Sequence, residues 1–294
     1  MRRHANYGRG EHTIAGADAE ALETVVTIRK RLQQVLADPG YKPPMLPQVA
    51  LEVHELSKQP TVDLDAVIDL ISQDAVLATQ VLRRAQSSVY ATRVPPRSLE
   101  DAVRRLGLAN IRDVVWEVAL GMRVFRCKPY RKAMEELRAH SVATARCAKA
   151  IASYTSVGED YAFLAGLLHD VGLAAMLMIL GEDRKPLPLK SIANDLFDIH
   201  EQATETVGQL WELPADLTLV LSHHHHPNIG GYDHPLIAIL CVAEEIAKQL
   251  SRGLGWTETS DATHPAQLQR SVDALGIGPH LIEATAKKLA PMME

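Results

Sequence analysis

The chain has 294 residues, 47% of them apolar and 23% charged, with a formal net charge of −5. That mix suits a folded chain with one large core or two modest ones, and the negative balance argues against a general nucleic-acid binder. Three dispersed cysteines (Cys127, Cys147, Cys241) offer no disulfide framework and point to a reducing cytoplasm, while aromatics at 4% are too sparse for single-strand stacking platforms.

The opening stretch "MRRHANYGRGEHTIAGADAE" has arginines but no apolar run behind them, so it does not read as a signal peptide. Helical periodicity predicts a first helix over 17–36, closed by the proline and glycine of "DPGYKPP". Further helices are expected at 47–58, 63–72 and 75–86, then, after the turn "SSVYATRVPP", at 98–106 and 110–124. Gly107 would stop the first of that pair and Asn110 would cap the second. An alanine-rich helix follows at 132–154, thin enough for neighbours to approach closely. Others are expected at 158–169, 172–181, 200–212, 214–224 (with Pro214 in its first turn) and 234–251, with two weaker ones toward the end. Strand alternation is absent and no fixed repeat appears, so the expected class is an all-α multi-helix bundle. The most apolar stretch, "LAGLLHDVGLAAMLMIL", is interrupted by His169 and Asp170 and falls short of an unbroken membrane span.

Charge is distributed unevenly. From Arg83 to Lys132 twelve Lys/Arg face Glu100, Asp101, Asp113 and Glu117, a local balance of +8 that leaves −13 for the rest. This basic middle reads as a face for a phosphate-bearing ligand or acidic partner, or else as arginines solvating helix surfaces. Cys127 lies in the basic stretch "RVFRCKPYRK", which would lower its pKa, although all three cysteines read as packing residues.

The histidines are not spread at random. Those at 4, 12, 54, 264 and 280 are isolated, but His140, His169, His200, the run His223 to His226, and His234 crowd the second half. Imidazole and carboxylate together suit Zn, Fe, Mn or similar divalent ions. Several successive helices would aim such ligands at one point, as metal sites in bundle cores do, and a cation would explain an aspartate inside a greasy segment. Each residue also has a plainer role. Asp170 and His200 would cap helices, "HHHH" would be a solvated turn, and His140 would be a core histidine bonded to a carbonyl.

His140, then "HD" at 169–170, then an acidic residue in a later helix resembles the pattern of the HD phosphohydrolase superfamily. "LPQVALEVHELSKQPTVDLDAVIDLISQDAVLATQVLRRAQSSVYA" and "AVRRLGLANIRDVV" resemble the HDOD domain, the HD-related output domain of bacterial signalling proteins. "HEQATETVGQLWELPADLTLVLSHHHHP", with Gly208, Trp211, Leu213 and Pro214, is similar to that family's later half. The likeness covers 46–250, with an N-terminal half at 46–125 and an HD-like half at 126–250. Residues 1–45 and 251–294 would be extensions.

The resemblance implies a bacterial regulatory module that contacts other signalling proteins; with the cysteine usage and net charge above, the expected place is the cytoplasm, away from membranes, and nucleic acid is not an expected partner. By similarity to HD-GYP phosphodiesterases it also implies a divalent-metal site, with two ions of the Fe, Mn, Zn or Mg kind. His140, His169 and Asp170 would hold one ion, and Asp170 would bridge to a second held by His200, His223 and His224. Glu244, or Glu245 if the helix is turned, would replace the terminal aspartate. His169 and Asp170 would then stand nearest any catalysis, on a nucleotide or phosphodiester. The HD-GYP lysine after "HD" is absent, with Leu173 or Ala174 in its place, and only Gly230, Gly231 and Tyr232 echo the substrate box.

Overall fold

The computed structural model describes residues 28–58, 63–87, 90, 94–256 and 265–292. It is all-α apart from one two-residue hairpin. Residues 28–36 form α1, whose apolar positions Ile28, Leu32 and Leu36 fall four apart and are buried. The rest of the predicted first helix, and the N-terminal stretch before it, lie outside the described residues. Next come α2 (Gln48–Ser57), α3 (Leu64–Ser72) and α4 (Ala75–Ala85), all packed on α5 (Leu99–Arg123). Aspartate side chains start two of them. Asp63 accepts from the Asp65 backbone N–H at 2.9 Å, and Asp74 accepts from that of Val76 at 2.9 Å.

The two helices expected at 98–106 and 110–124 are one kinked element. Gly107 at φ 72°, ψ 165° sits in a region open to glycine, which makes the kink. Asn110 does not cap. Its amide donates back to the Leu106 carbonyl at 2.8 Å across the bend.

The second half is built on α6 (Arg131–Ala152), which packs against α7 (Glu159–Leu168) and α11 (Pro235–Gln249). The alanines of α6 do what their size suggests. A Cβ on Gly166 of α7 would lie 2.7 Å from Ala145 Cα, so the two backbones nearly touch. α8 (Val171–Gly181) leans as closely on α9 (Ala193–Leu210), since a Cβ on Gly172 would meet the Thr204 backbone nitrogen at 2.4 Å. The apolar stretch Glu159–Gly181 is long and hydropathic enough for a membrane span, yet it breaks into α7 and α8 and 94% of its most apolar window is buried.

α9 begins seven residues before the expected start at 200, so His200 lies inside a helix and caps nothing. α10 (Ala215–Leu221) follows, with Pro214 just ahead of its first turn. Between α10 and α11 stands a hairpin that period-2 patterning did not reveal, β1 (Asn228–Ile229) and β2 (Tyr232–Asp233). Its Gly230 and Gly231, at φ 59° and 92°, supply the left-handed pair that a two-residue turn requires. The expected weak C-terminal helices are α12 (Pro265–Leu275) and α13 (Pro279–Leu289), which pack against α11, α13 reaching α6 as well.

Much of the basic middle is spent on ion pairs. Glu117 of α5, almost fully buried, takes Arg84 at 2.8 Å and Arg146 at 2.5 Å. Arg104 pairs with Asp65 at 2.7 Å, and Arg112 pairs with Asp160. Cys127 donates to the Leu177 carbonyl at 3.3 Å, and burial raises its thiol pKa despite the neighbouring lysine and arginines. Cys147 is buried and pushed up to about 12 for the same reason.

Candidate metal centre

The HD doublet sits where α7 stops and α8 starts. Asp170 occupies the position before α8, but its side chain makes no capping bond. It turns inward instead. Thr204 of α9 pins the junction, donating to the His169 carbonyl at 3.2 Å and accepting from the Gly172 N–H at 3.1 Å. His140 reaches the same point from the middle of α6, His200 from α9, His224 and His225 from the turn after α10, and Glu244 from α11.

Four of the histidines share one arrangement. His140 donates through Nδ1 to the Arg252 carbonyl at 2.8 Å, His169 to Gly166 at 2.8 Å, and His224 to Leu221 at 2.7 Å. His200 does the same to Phe197. A carbonyl can only accept, so each Nδ1 carries a proton, and a ring without a second proton presents a bare Nε2 lone pair. Those lone pairs face one another. Nε2 of His140 is 3.2 Å from that of His169, and Nε2 of His200 is 3.1 Å from that of His224. His225 turns Nε2 to the Nε2 of His200 at 3.1 Å and Nδ1 to Glu244 Oε2 at 3.3 Å.

Asp170 lies between the two histidine pairs. Its Oδ2 is 3.1 Å from His169 Nε2 and 3.7 Å from His140 Nε2. Its Oδ1 is 3.5 Å from His224 Nε2 and 3.8 Å from His200 Nε2. Asp170 Oδ1 and Glu244 Oε1 are buried without a hydrogen-bond donor, and Glu244 Oε2 faces His225 Nδ1 at 3.3 Å. Converging lone pairs and orphaned carboxylate oxygens inside a core are a costly set unless positive charge sits among them. Within 4.8 Å the ligand atoms fall into three overlapping groups, His140–His169–Asp170, His169–His224–Glu244 and His200–His224–His225. The donor set fits a divalent cation on its chemistry, with backbone carbonyls orienting four of the five rings from behind.

Protons are the other source of positive charge. Burial works against a charged His169, but Asp170 beside it outweighs that and lifts its pKa to about 9. Burial opposes the Asp170 carboxylate too, yet His169 and the other rings hold it well below its ordinary value. The same exchange lifts His225 to about 9 against Glu244, which is held down at about 2. His200, buried and beside His224 and His225, falls to about 4.

One expected ligand falls outside the cluster. His223 stays out of the cluster, with Nδ1 against the Leu219 carbonyl at 3.1 Å and Ser222 Oγ at 2.8 Å, while His225 stands in the cluster instead. Glu245 is half-buried and accepts from Gln249 at 3.1 Å, whereas Glu244 is buried in the cluster. Glu201 was also missed. It accepts from the His225 backbone N–H at 3.1 Å and lies 3.5 Å from His226 Nε2, holding the histidine turn against α9. Its place directly after His200 was the one available sign. Leu173 and Ala174 are fully buried, so no side chain from those positions reaches toward a phosphate.

A family model for the HDOD domain matches residues 44–227. An uncharacterized protein of Treponema pallidum (strain Nichols) is 26% identical over 234 residues, covering 74% of this chain and 45% of that protein. The chain therefore spans less than half the length of that curated relative. Among solved structures, an HDOD domain protein of unknown function from Geobacter sulfurreducens superposes with a TM-score of 0.66 at 24% identity, covering 92% of this chain and 96% of the other. A protein of Shewanella amazonensis SB2B, named as a candidate metal-dependent phosphohydrolase, gives a TM-score of 0.66 at 18% identity, covering 94% and 100%.

Proposed function

The chain belongs to the HDOD domain family, and on that premise we propose that it is a cytoplasmic regulatory module of bacterial signalling whose second half holds a divalent-metal centre. The HDOD unit spans 46–250, and the flanking helices α1, α12 and α13 pack on it as extra helices. His140, His169, Asp170, His200, His224, His225 and Glu244 are the ligands. One observation carries the metal: rings with Nδ1 fixed on oxygen acceptors turn bare Nε2 atoms toward a single buried carboxylate.

A second reading, a metal-dependent phosphohydrolase acting on a nucleotide or phosphodiester, draws on the two faces of Asp170. One oxygen serves the His140–His169 pair and the other the His200–His224 pair, as a carboxylate shared by two ions would. Ions in such a site polarise a phosphoryl oxygen and activate water for in-line attack. Burial weighs for the first reading. His169 and His224 have no exposed surface, Asp170 has 2% and His200 5%, so the cluster offers a phosphodiester almost no accessible surface.

Metal analysis of the purified chain, paired with turnover of bis(p-nitrophenyl) phosphate under added Mn or Fe, tests both. Bound metal without turnover supports the module. Turnover that disappears in His169→Ala supports the hydrolase. A chain that takes up no divalent ion under any of these conditions overturns both.

A further inference from the structure

Away from the histidines, α4, α5 and α6 enclose a cleft of about 440 Å³. Arg83, Arg84, Arg126 and Arg138 line it, and Val76, Val118 and Met122 give it an apolar side. Glu117 is the one acid on its wall, and it is already held by Arg84 at 2.8 Å and by two Arg146 nitrogens at 2.5 and 3.1 Å. Among the described residues no carboxylate pairs with Arg83, Arg126 or Arg138. Arg83, Arg126 and Arg138 are exposed and hydrated, so an anion entering the cleft would meet guanidinium groups whose one neighbouring acid is already spent.

The cleft is shaped for this. A Cβ at Gly121 of α5 would stand 3.1 Å from Arg138 Cδ, so the missing side chain is what lets the Arg138 stem lie along α5. Glycine weakens a helix interior, and here it makes room for an arginine. Arg138 and His140 are two positions apart on α6, about 200° around the helix, so the cleft and the histidine cluster occupy different faces of one element.

We propose that this cleft is a second ligand site, which takes a small phosphorylated molecule and is independent of the metal centre. Planar guanidinium forks match phosphate oxygens two at a time. The volume falls in the range of small-molecule pockets, about 300–1,000 Å³, and the apolar side formed by Val118 and Met122 suits a nucleotide base.

Calorimetric titration of the full chain with ATP and with pyrophosphate, in chelator and at about 0.15 M salt, tests the site without ions at the histidines. Binding by either probe is expected, weakened about tenfold or more in Arg83→Gln/Arg138→Gln and unchanged in Asp170→Asn. ATP binding tighter than pyrophosphate identifies a nucleotide, and equal binding identifies an inorganic polyphosphate; both support the site. Failure of both probes to bind below millimolar overturns it. So does an unchanged affinity in the double variant when its melting curve matches the parent, or an equal loss in the charge-matched control Lys128→Gln/Lys132→Gln, which lies outside the cleft.

Discussion

Asp170→Asn is the most informative single change at the centre. The amide has nearly the shape of the carboxylate but no charge, so both histidine pairs, whose Nε2 atoms stand 3.1 to 3.8 Å from Asp170, lose their shared anion and one of them faces an NH2 donor instead. An ion that binds the folded chain alone, supplied at a hundred times its Kd, adds about 2.7 kcal/mol of stability. For a chain of this size each kcal/mol moves Tm by roughly 2–4 °C, so chelator should lower the parent's Tm by about 5–11 °C. In Asp170→Asn that chelator-sensitive step should vanish, with bound metal falling toward zero by elemental analysis. The alternative is a buried histidine–aspartate network held together by protons. Losing Asp170 from such a network would cost stability whether or not chelator is present. A Tm loss in the variant equal with and without chelator, or an unchanged metal content, refutes the metal reading.

Three further outcomes follow from the same geometry. His225→Ala should strip metal from the His200–His224 side, whereas His223→Ala should leave metal content unchanged; elemental analysis of the two variants side by side checks this. Gly172→Ala drives a Cβ into backbone at 2.4 Å, a clash that no rotamer relieves, and should cost at least about 1–3 kcal/mol as overpacking, read as a lower Tm together with reduced metal content because His200 sits across that contact. In the metal-free chain His169 and His225 are raised to about 9, so their ion pairs contribute fully below pH 6.5 and are lost as pH rises to 9. An ion must displace those protons, so its stabilising increment should grow over the same window; melting with and without chelator from pH 6.5 to 9 should show the two trends opposed, and parallel trends would contradict it.

Periodicity located the helices because most bury one apolar face, and the HD doublet stood out because an aspartate broke a buried run. What went astray was phase. His200 read as a helix start, but α9 begins at Ala193 after a short turn at Leu189–Ser191, and nothing in the polar composition of "SIANDLFD" marks that entry. The run His223 to His226 lies beyond the end of α10 at Leu221, where the 3.6-residue period no longer says which side chain points inward. Four identical residues offered no contrast, so His225 could be found only in three dimensions. The hairpin at 228–233 escaped for the related reason that two-residue strands are too short to alternate.

The arginine cleft was legible as charge and illegible as a place. The excess between Arg83 and Lys132 read equally as a ligand face or a solvated surface, and the fold divides those arginines between ion pairs and the cleft. Arg104 and Arg105 pair with Asp65 and Asp101 on the outside of α5, and the buried Arg112 pairs with Asp160. Arg83, Arg126 and Arg138 come from three separate segments and meet only because α4 and α6 flank α5 at the level of Gly121. The same economy builds the histidine cluster, where Gly166 and Gly172 bring α7 against α6 and α8 against α9 closely enough for short imidazoles to reach one carboxylate. Small residues at helix crossings thus place both sets of polar groups, and α6 carries one on each face.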